Sequence, residues 1–266
     1  MIEIDAVIKG GFADFHVELE KAQALQRLSR DQSFVVPRVL EASQADSSIS
    51  FEYLPGLVPI RNKYLEACRG AIPLEPVEKL FAATGDALSR IHIGLRLAKE
   101  VDWRPSQAFE FELRAERCLN DLHIPEIAMP VVLHGDYGFA NVFLMNEDDP
   151  RLVILDPSPN GFTTFAANER GPRGIDLANM VACIQGLVPL RYYPFLNWAS
   201  AARLLDAFLS GYERAADCRL PRKPLIAIAR ATARTYLRYR CRWNWQRESA
   251  RRIFFWSRKR ELLHRE

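Results

Sequence analysis

The chain has 266 residues, 48% of them apolar and 26% charged, with a formal net charge of +3. That length allows one large or two modest domains around a substantial core, and the composition is that of a globular enzyme rather than a disordered or fibrous chain. No apolar run approaches the roughly 20 residues of a bilayer span, and the start Met1-Ile2-Glu3-Ile4-Asp5 carries acid where a secretory signal would carry base.

In chain order, Ile2 to Lys9 alternates as a short strand closed by Gly10-Gly11. The spacing of Leu19, Ala22 and Leu25 predicts a helix over 17–28. Val35 to Leu40 and Ser48 to Tyr53 read as strands, the second ended by Pro55-Gly56. Residues 1–54 therefore form a small α+β lobe, with the Pro-containing stretch from Leu54 to Pro76 as the connection. Beyond it the chain turns mostly helical. Val77, Leu80, Phe81, Leu88, Ile91 and Leu95 recur at helix spacing behind Pro76, and a second helix is expected over 109–122. A strand at Val131 to Leu133 leads into a loop over 134–141. Strands at Val142 to Met145 and Leu152 to Leu155 flank a polar turn. Further helices are expected over 175–187, 194–213 and 221–262, the last broken once.

Chemistry concentrates in His134-Gly135-Asp136-Tyr137-Gly138-Phe139-Ala140-Asn141, followed fifteen residues after Asn141 by Asp156 at the end of an apolar strand. Phosphoryl transfer needs a carboxylate that orients or deprotonates the attacking hydroxyl, and oxygen ligands that hold Mg²⁺ between the phosphates. An H-x-D-x-x-x-x-N loop supplies Asp136 for the acceptor and Asn141 for the metal, and Asp156 completes the metal site. A lone Asp in a loop is more often a turn or cap residue; it is the combination that points to chemistry.

The octet and Leu155-Asp156 resemble the catalytic loop and metal-binding Asp of the aminoglycoside phosphotransferase and choline kinase group, which shares the two-lobed fold of protein kinases. Arg173-Gly174-Ile175-Asp176-Leu177-Ala178 resembles the group's D-x-A segment, and Leu88-Ser89-Arg90-Ile91-His92 its Leu-x-x-Leu-His helix. The resemblance implies an α+β kinase-like fold with a reduced N-terminal lobe (1–54) and a mostly helical C-terminal lobe (55–266). It implies a Mg²⁺-dependent kinase acting with ATP or GTP on a hydroxyl, Asp136 as base, and Asn141 and Asp156 as metal ligands. His134 and Asp176 support the loop. Val7-Ile8-Lys9 resembles the strand whose Lys meets the α- and β-phosphates. In the helix that follows, Glu20 fits the family register of its partner acid better than Glu18. Phe51 to Gly56 resembles the hinge, where main-chain groups of Phe51 and Tyr53 meet the base. His92 and Tyr212, on apolar helix faces, read as core residues.

One departure stands out. A phosphate-covering hairpin needs roughly a dozen residues or more, and only eight precede Lys9. Alternatively Gly10-Gly11 turns a hairpin of its own, which leaves the phosphate Lys without a candidate.

Charge is unevenly distributed. From Arg219 to Glu266 there are fifteen Lys/Arg against three acids, so the preceding residues carry 21 bases and 30 acids. Arg230, Arg234, Arg238 and Arg242 recur every fourth residue along one helix face, interleaved with aromatics from Tyr236 to Trp256. The plain expectation is that the aromatics pack on the C-lobe while the arginines pair with its acids or face water. An anionic acceptor, nucleic acid or an anionic membrane surface are the alternatives. A polycationic aminoglycoside wants a carboxylate-rich pocket, so the basic segment favours a neutral or anionic, sugar-like acceptor. The loop from Pro157 to Arg173 reads either as a border of that site, with Asn160, Thr163, Thr164, Asn168 and Glu169 able to bond hydroxyls, or as a flexible surface loop. A catalytically weak nucleotide- or partner-binding protein is the competing function. The five cysteines (Cys68, Cys118, Cys183, Cys218 and Cys241) are scattered without a C-x-x-C pair, which suits reduced thiols in the cytoplasm.

Overall fold

The computed structural model describes residues 6–10, 12, 14–30, 33–146, 150–155, 157–185 and 190–240. Strand β1 (Ala6–Gly10) leads to helix α1 (Phe15–Ser29), whose start is fixed by Asp14, which accepts the Val17 N–H at 3.2 Å. Strands β2 (Phe34–Val35), β3 (Val39–Ser43) and β4 (Ser48–Glu52) follow. Val35 to Leu40, expected as one strand, is two: Pro37 has no N–H to give a ladder, and β2 and β3 belong to different sheets. The first sheet has the order β1-β4-β3, all antiparallel, with β1 at its edge.

After β5 (Val58–Pro59) come helices α2 (Ile60–Cys68) and α3 (Leu74–Gly94), strand β6 (Val101–Asp102) and helices α4 (Gln107–Ala115) and α5 (Pro125–Ala128). Helix α2 falls inside the stretch expected as a bare connection. Helix α4 ends at Ala115 rather than near 122. Strands β7 (Pro130–Val132), β8 (Val142–Leu144), β9 (Leu152–Ile154) and β10 (Glu169–Pro172) precede helices α6 (Gly174–Gln185), α7 (Trp198–Ala216) and α8 (Arg222–Arg240).

Two small sheets position the site. In the order β2-β9-β8-β5, β2 from the first lobe lies parallel to β9, stitching the lobes together. In the order β6-β10-β7, β10 carries β7 and so anchors the loop that leaves it. The C-lobe core is helical. Helices α3 and α7 touch backbone to backbone: a Cβ on Gly85 would lie 2.0 Å from the Phe208 carbonyl oxygen, and one on Gly211 1.9 Å from that of Ala82. Only glycine fits at such a crossing. Helix α6 is buried almost all round. No helix among the described residues is long and apolar enough to cross a membrane.

Candidate active site

The loop between β7 and β8 is held by its own backbone. Asp176, in the first turn of α6 and fully buried, accepts the His134 N–H at 2.6 Å and the Gly135 N–H at 2.9 Å. The two carbonyls of the same pair are taken from other directions: His134 O accepts Lys21 Nζ at 2.9 Å, and Gly135 O accepts the Thr164 hydroxyl at 2.8 Å. All four main-chain polar groups are thus satisfied by α6, by α1 and by the segment after β9, as a buried irregular turn requires. Gly135 has φ +98°, and a Cβ there would sit 3.2 Å from both Pro159 Cα and Ser158 O.

Behind this turn, His92 Nε2 lies 3.1 Å from Asp176 Oδ2 and His92 Nδ1 lies 2.8 Å from the Tyr212 hydroxyl. His92 and Tyr212 are therefore core residues, as expected, but polar ones that brace Asp176. Burial alone pushes the Asp176 carboxyl up. The His92 hydrogen bond, the charge of the His92 and His134 rings and the Gly135 N–H outweigh it and hold the group below its ordinary value.

Held this way, the loop presents Asp136, which is half-buried. Asn141 donates its side-chain amide to the Asp136 carboxylate at 2.8 Å and to the Asp136 carbonyl at 2.9 Å. With its nitrogen so committed, the amide oxygen of Asn141 turns away from Asp136. An amide oxygen is a fitting ligand for a hard cation such as Mg²⁺. The Leu155 N–H bonds to the Asn141 carbonyl at 2.8 Å, joining the end of β9 to the loop. Asp156, the other expected metal ligand, lies outside the described residues.

Leu155 also lines a cleft of about 390 Å³, whose walls include Ile8, Lys9, Val36, Phe51 and Tyr53. The expected base-contacting residues and the expected phosphate Lys thus border one mostly apolar cavity, contiguous with the Asp136 loop through Leu155. Lys9 Nζ donates to the Ser158 hydroxyl at 2.7 Å, and that hydroxyl donates to Glu18 Oε2 at 2.8 Å. The helix acid joined to Lys9 is Glu18, not Glu20. At 100° per residue the two acids point some 200° apart on α1, and Glu20 instead accepts the Ala98 N–H. The buried face of α1 carries Glu18, Lys21, Ala22 and Leu25, an i, i+3, i+4, i+7 set that marks Glu18 as the inward acid in the sequence itself.

The side chains expected to bond an acceptor are consumed by structure. Asn160 Oδ1 accepts the N–H groups of Phe162 and Thr163, and Thr164 is taken up by Gly135 and by the Asn160 N–H. Asn168 donates to Lys99 O, and Glu169 accepts the Phe165 N–H. All but Asn160 are buried. Of these side chains Thr164 ties the segment to the 134–141 loop, and the others bond to backbone groups of the segment itself or of Lys99. Lys21, Ser158 and this bracing role of Thr164 were not legible as site features, since each depends on partners 29 to 149 residues distant.

The arginine face of α8 is paired. Arg230 Nε lies 2.6 Å and Arg234 Nη2 2.8 Å from Glu116, and Arg238 Nη2 lies 2.9 Å from Glu112, which is buried. Tyr236 packs edge-on against Phe162, 5.1 Å between ring centres. Arg242 and the aromatics from Trp243 to Trp256 lie outside the described residues.

No family model matches the chain, and no curated protein matches it. Solved structures do. A glucosamine kinase aligns with TM-score 0.63 at 15% identity, over 97% of this chain and 73% of that one. The choline kinase LicA from Streptococcus pneumoniae aligns with TM-score 0.52 at 13% identity, over 96% and 87%. An aminoglycoside-3'-phosphotransferase of type VIII aligns with TM-score 0.50 at 18% identity, over 85% and 83%. The chain has the fold of the protein-kinase-like phosphotransferases.

Proposed function

We propose that the protein is a Mg²⁺-dependent phosphotransferase that moves the γ-phosphoryl group of ATP or GTP to a hydroxyl of a small, sugar-like molecule. The observation that carries this is the contact between Asn141 and Asp136 on a loop braced at the four main-chain groups of His134 and Gly135, next to a cleft that holds Lys9. Further support comes from the similar solved structures, one of which is a glucosamine kinase in complex with glucosamine, ADP and inorganic phosphate.

In this proposal the base lies between the lobes against Val36, Phe51 and Leu155, and Lys9 donates to the phosphates. The acceptor hydroxyl gives its proton to the Asp136 carboxylate as its oxygen bonds to the γ-phosphorus. The bond from that phosphorus to the bridging oxygen breaks, and the nucleoside diphosphate leaves. Mg²⁺, when bound, neutralises charge on the β- and γ-phosphates, and Asn141 and Asp156 are the residues that would hold it. The site asks for little covalent chemistry from the protein: it orients and neutralises.

The basic C-terminal segment favours a neutral or anionic acceptor, but Arg230, Arg234 and Arg238 are spent on Glu116 and Glu112. Amino sugars therefore stand beside neutral and anionic sugars in the acceptor panel. Nucleoside diphosphate release should be followed with each class, with choline and with an aminoglycoside, in the presence and absence of Mg²⁺. Transfer to a sugar that needs Mg²⁺ and Asp136 supports the proposal. Nucleotide binding without transfer to any acceptor would favour a nucleotide-binding protein, and transfer to the aminoglycoside alone would overturn the sugar assignment.

A further inference from the structure

We propose that Ser158 is a positioning residue for the phosphate-binding lysine, setting Lys9 through a hydroxyl shared with Glu18. The inference rests on the nucleotide reading of the cleft and deepens it. Ser158 lies on the segment that follows β9, far from both partners in sequence, and its hydroxyl accepts from Lys9 Nζ at 2.7 Å while donating to Glu18 Oε2 at 2.8 Å. A serine hydroxyl has one donor and two acceptor sites. Its direction here is fixed by chemistry, because the ammonium only donates and the carboxylate only accepts. The Glu18 carboxylate thus polarises the hydroxyl and makes its oxygen a better acceptor for Lys9.

The backbone of Ser158 is placed as firmly as its side chain. Its carbonyl oxygen would lie 3.2 Å from a Cβ on Gly135, so the residue packs directly against the catalytic loop. Lys9 lies on β1, at the edge of its sheet, where both Val7 and Ile8 are half or more exposed. A long side chain on such a strand needs tethering to be aimed before a ligand arrives. Ser158 links it to α1 and to the loop that carries Asp136. An ammonium has three donors; one spent on Ser158 fixes the direction of the other two. Glu18 and Ser158 therefore act on the nucleotide through Lys9, on the phosphates and not on the base.

The test is calorimetric titration of the full chain with Mg²⁺-ATP and with adenosine. The proteins are the parent, Ser158→Ala, Ser158→Thr, Lys9→Met and the Lys9→Met/Ser158→Ala double variant. Loss of one charge-assisted hydrogen bond should weaken Mg²⁺-ATP by about five- to tenfold in Ser158→Ala and leave adenosine within about twofold. Ser158→Thr keeps the hydroxyl and should recover most of the affinity. In the Lys9→Met background the serine change should add nothing. Parental Mg²⁺-ATP affinity in Ser158→Ala would overturn the proposal, as would an equal loss for adenosine or a full further loss when Lys9 is absent. A parent that binds neither ligand would overturn the nucleotide reading itself, and the positioning role with it.

Discussion

Asp176 and Gly135 meet at 2.9 Å, carboxylate to backbone N–H, at a residue whose φ of +98° only glycine adopts without strain. The contact turns the chain so that Asp136, the next residue, leaves the core while its neighbours on both sides remain buried. The geometry of the candidate site is thus a consequence of how a buried turn satisfies its main chain.

Replacing Asp136 with Asn removes the proposed proton acceptor and keeps the shape. Transfer should fall by roughly 10²- to 10⁴-fold, the range of general-base contributions. Mg²⁺-ATP affinity should stay within about threefold, because in the proposed reaction the carboxylate serves the acceptor hydroxyl and not the nucleotide. Initial-rate and binding measurements on the same sample separate the two.

Gly135→Ala places a Cβ 3.2 Å from Ser158 O and Pro159 Cα at a positive φ. It should cost about 1–3 kcal/mol of stability and slow transfer, since the strain is relieved only by moving the loop. Urea unfolding gives the first effect and turnover the second.

Asp176→Ala leaves the His134 and Gly135 N–H groups and His92 without their acceptor in a fully buried place. The expected loss is about 3–5 kcal/mol, a fall in Tm of about 10 °C for a chain of this size.

The pH dependence follows from the same residue. The Asp176 pKa is lowered on folding. Its contribution is therefore full above the unfolded value of about 3.9 and is lost as pH falls through the lower folded value. Glu169, which burial pushes up, has the opposite sign: its stabilising share is lost as pH rises through its folded value. The difference between parent and Asp176→Asn isolates the first group. It should shrink as pH falls below about 5. A difference that grows with acid would contradict the assignment.

The pairing of α8 with α4 has its own measure. Glu116 has a nearly buried side chain and serves two arginines, Arg230 and Arg234. Glu116→Ala should cost about 2–3 kcal/mol. Arg203→Ala, which breaks an exposed pair with Glu78, should cost no more than about 1 kcal/mol. Urea midpoints of the two variants give the comparison.

The sequence made the candidate loop legible because its residues are local: Asp136 and Asn141 lie within one octet and meet through a turn that eight residues encode. The long helices were legible for a similar reason, each carrying a continuous apolar face. What escaped notice depends on distant partners. Glu169 to Pro172 has no strand-like composition and becomes β10 only because β6 and β7 flank it. Ser158 is one polar residue in a loop until Lys9 and Glu18 arrive from the other lobe. Glu18 itself was discernible from its place on the helix face shared with Lys21, Ala22 and Leu25, but motif register pointed two residues further on. The hydrogen bonds made by the polar side chains of residues 160–169 were not legible either, because they answer the needs of a buried loop's backbone.

The most direct test of the account is thermal unfolding of the parent, Lys9→Met and Asp156→Asn with ATP or GTP, each with and without Mg²⁺. A nucleotide at about 100 times its Kd should add roughly 2.7 kcal/mol. A stabilisation of the parent that needs Mg²⁺ and is reduced in both variants is the result predicted for a Mg²⁺-nucleotide site built on Lys9 and the Asp136–Asn141 loop. No stabilisation of the parent by either nucleotide would contradict it.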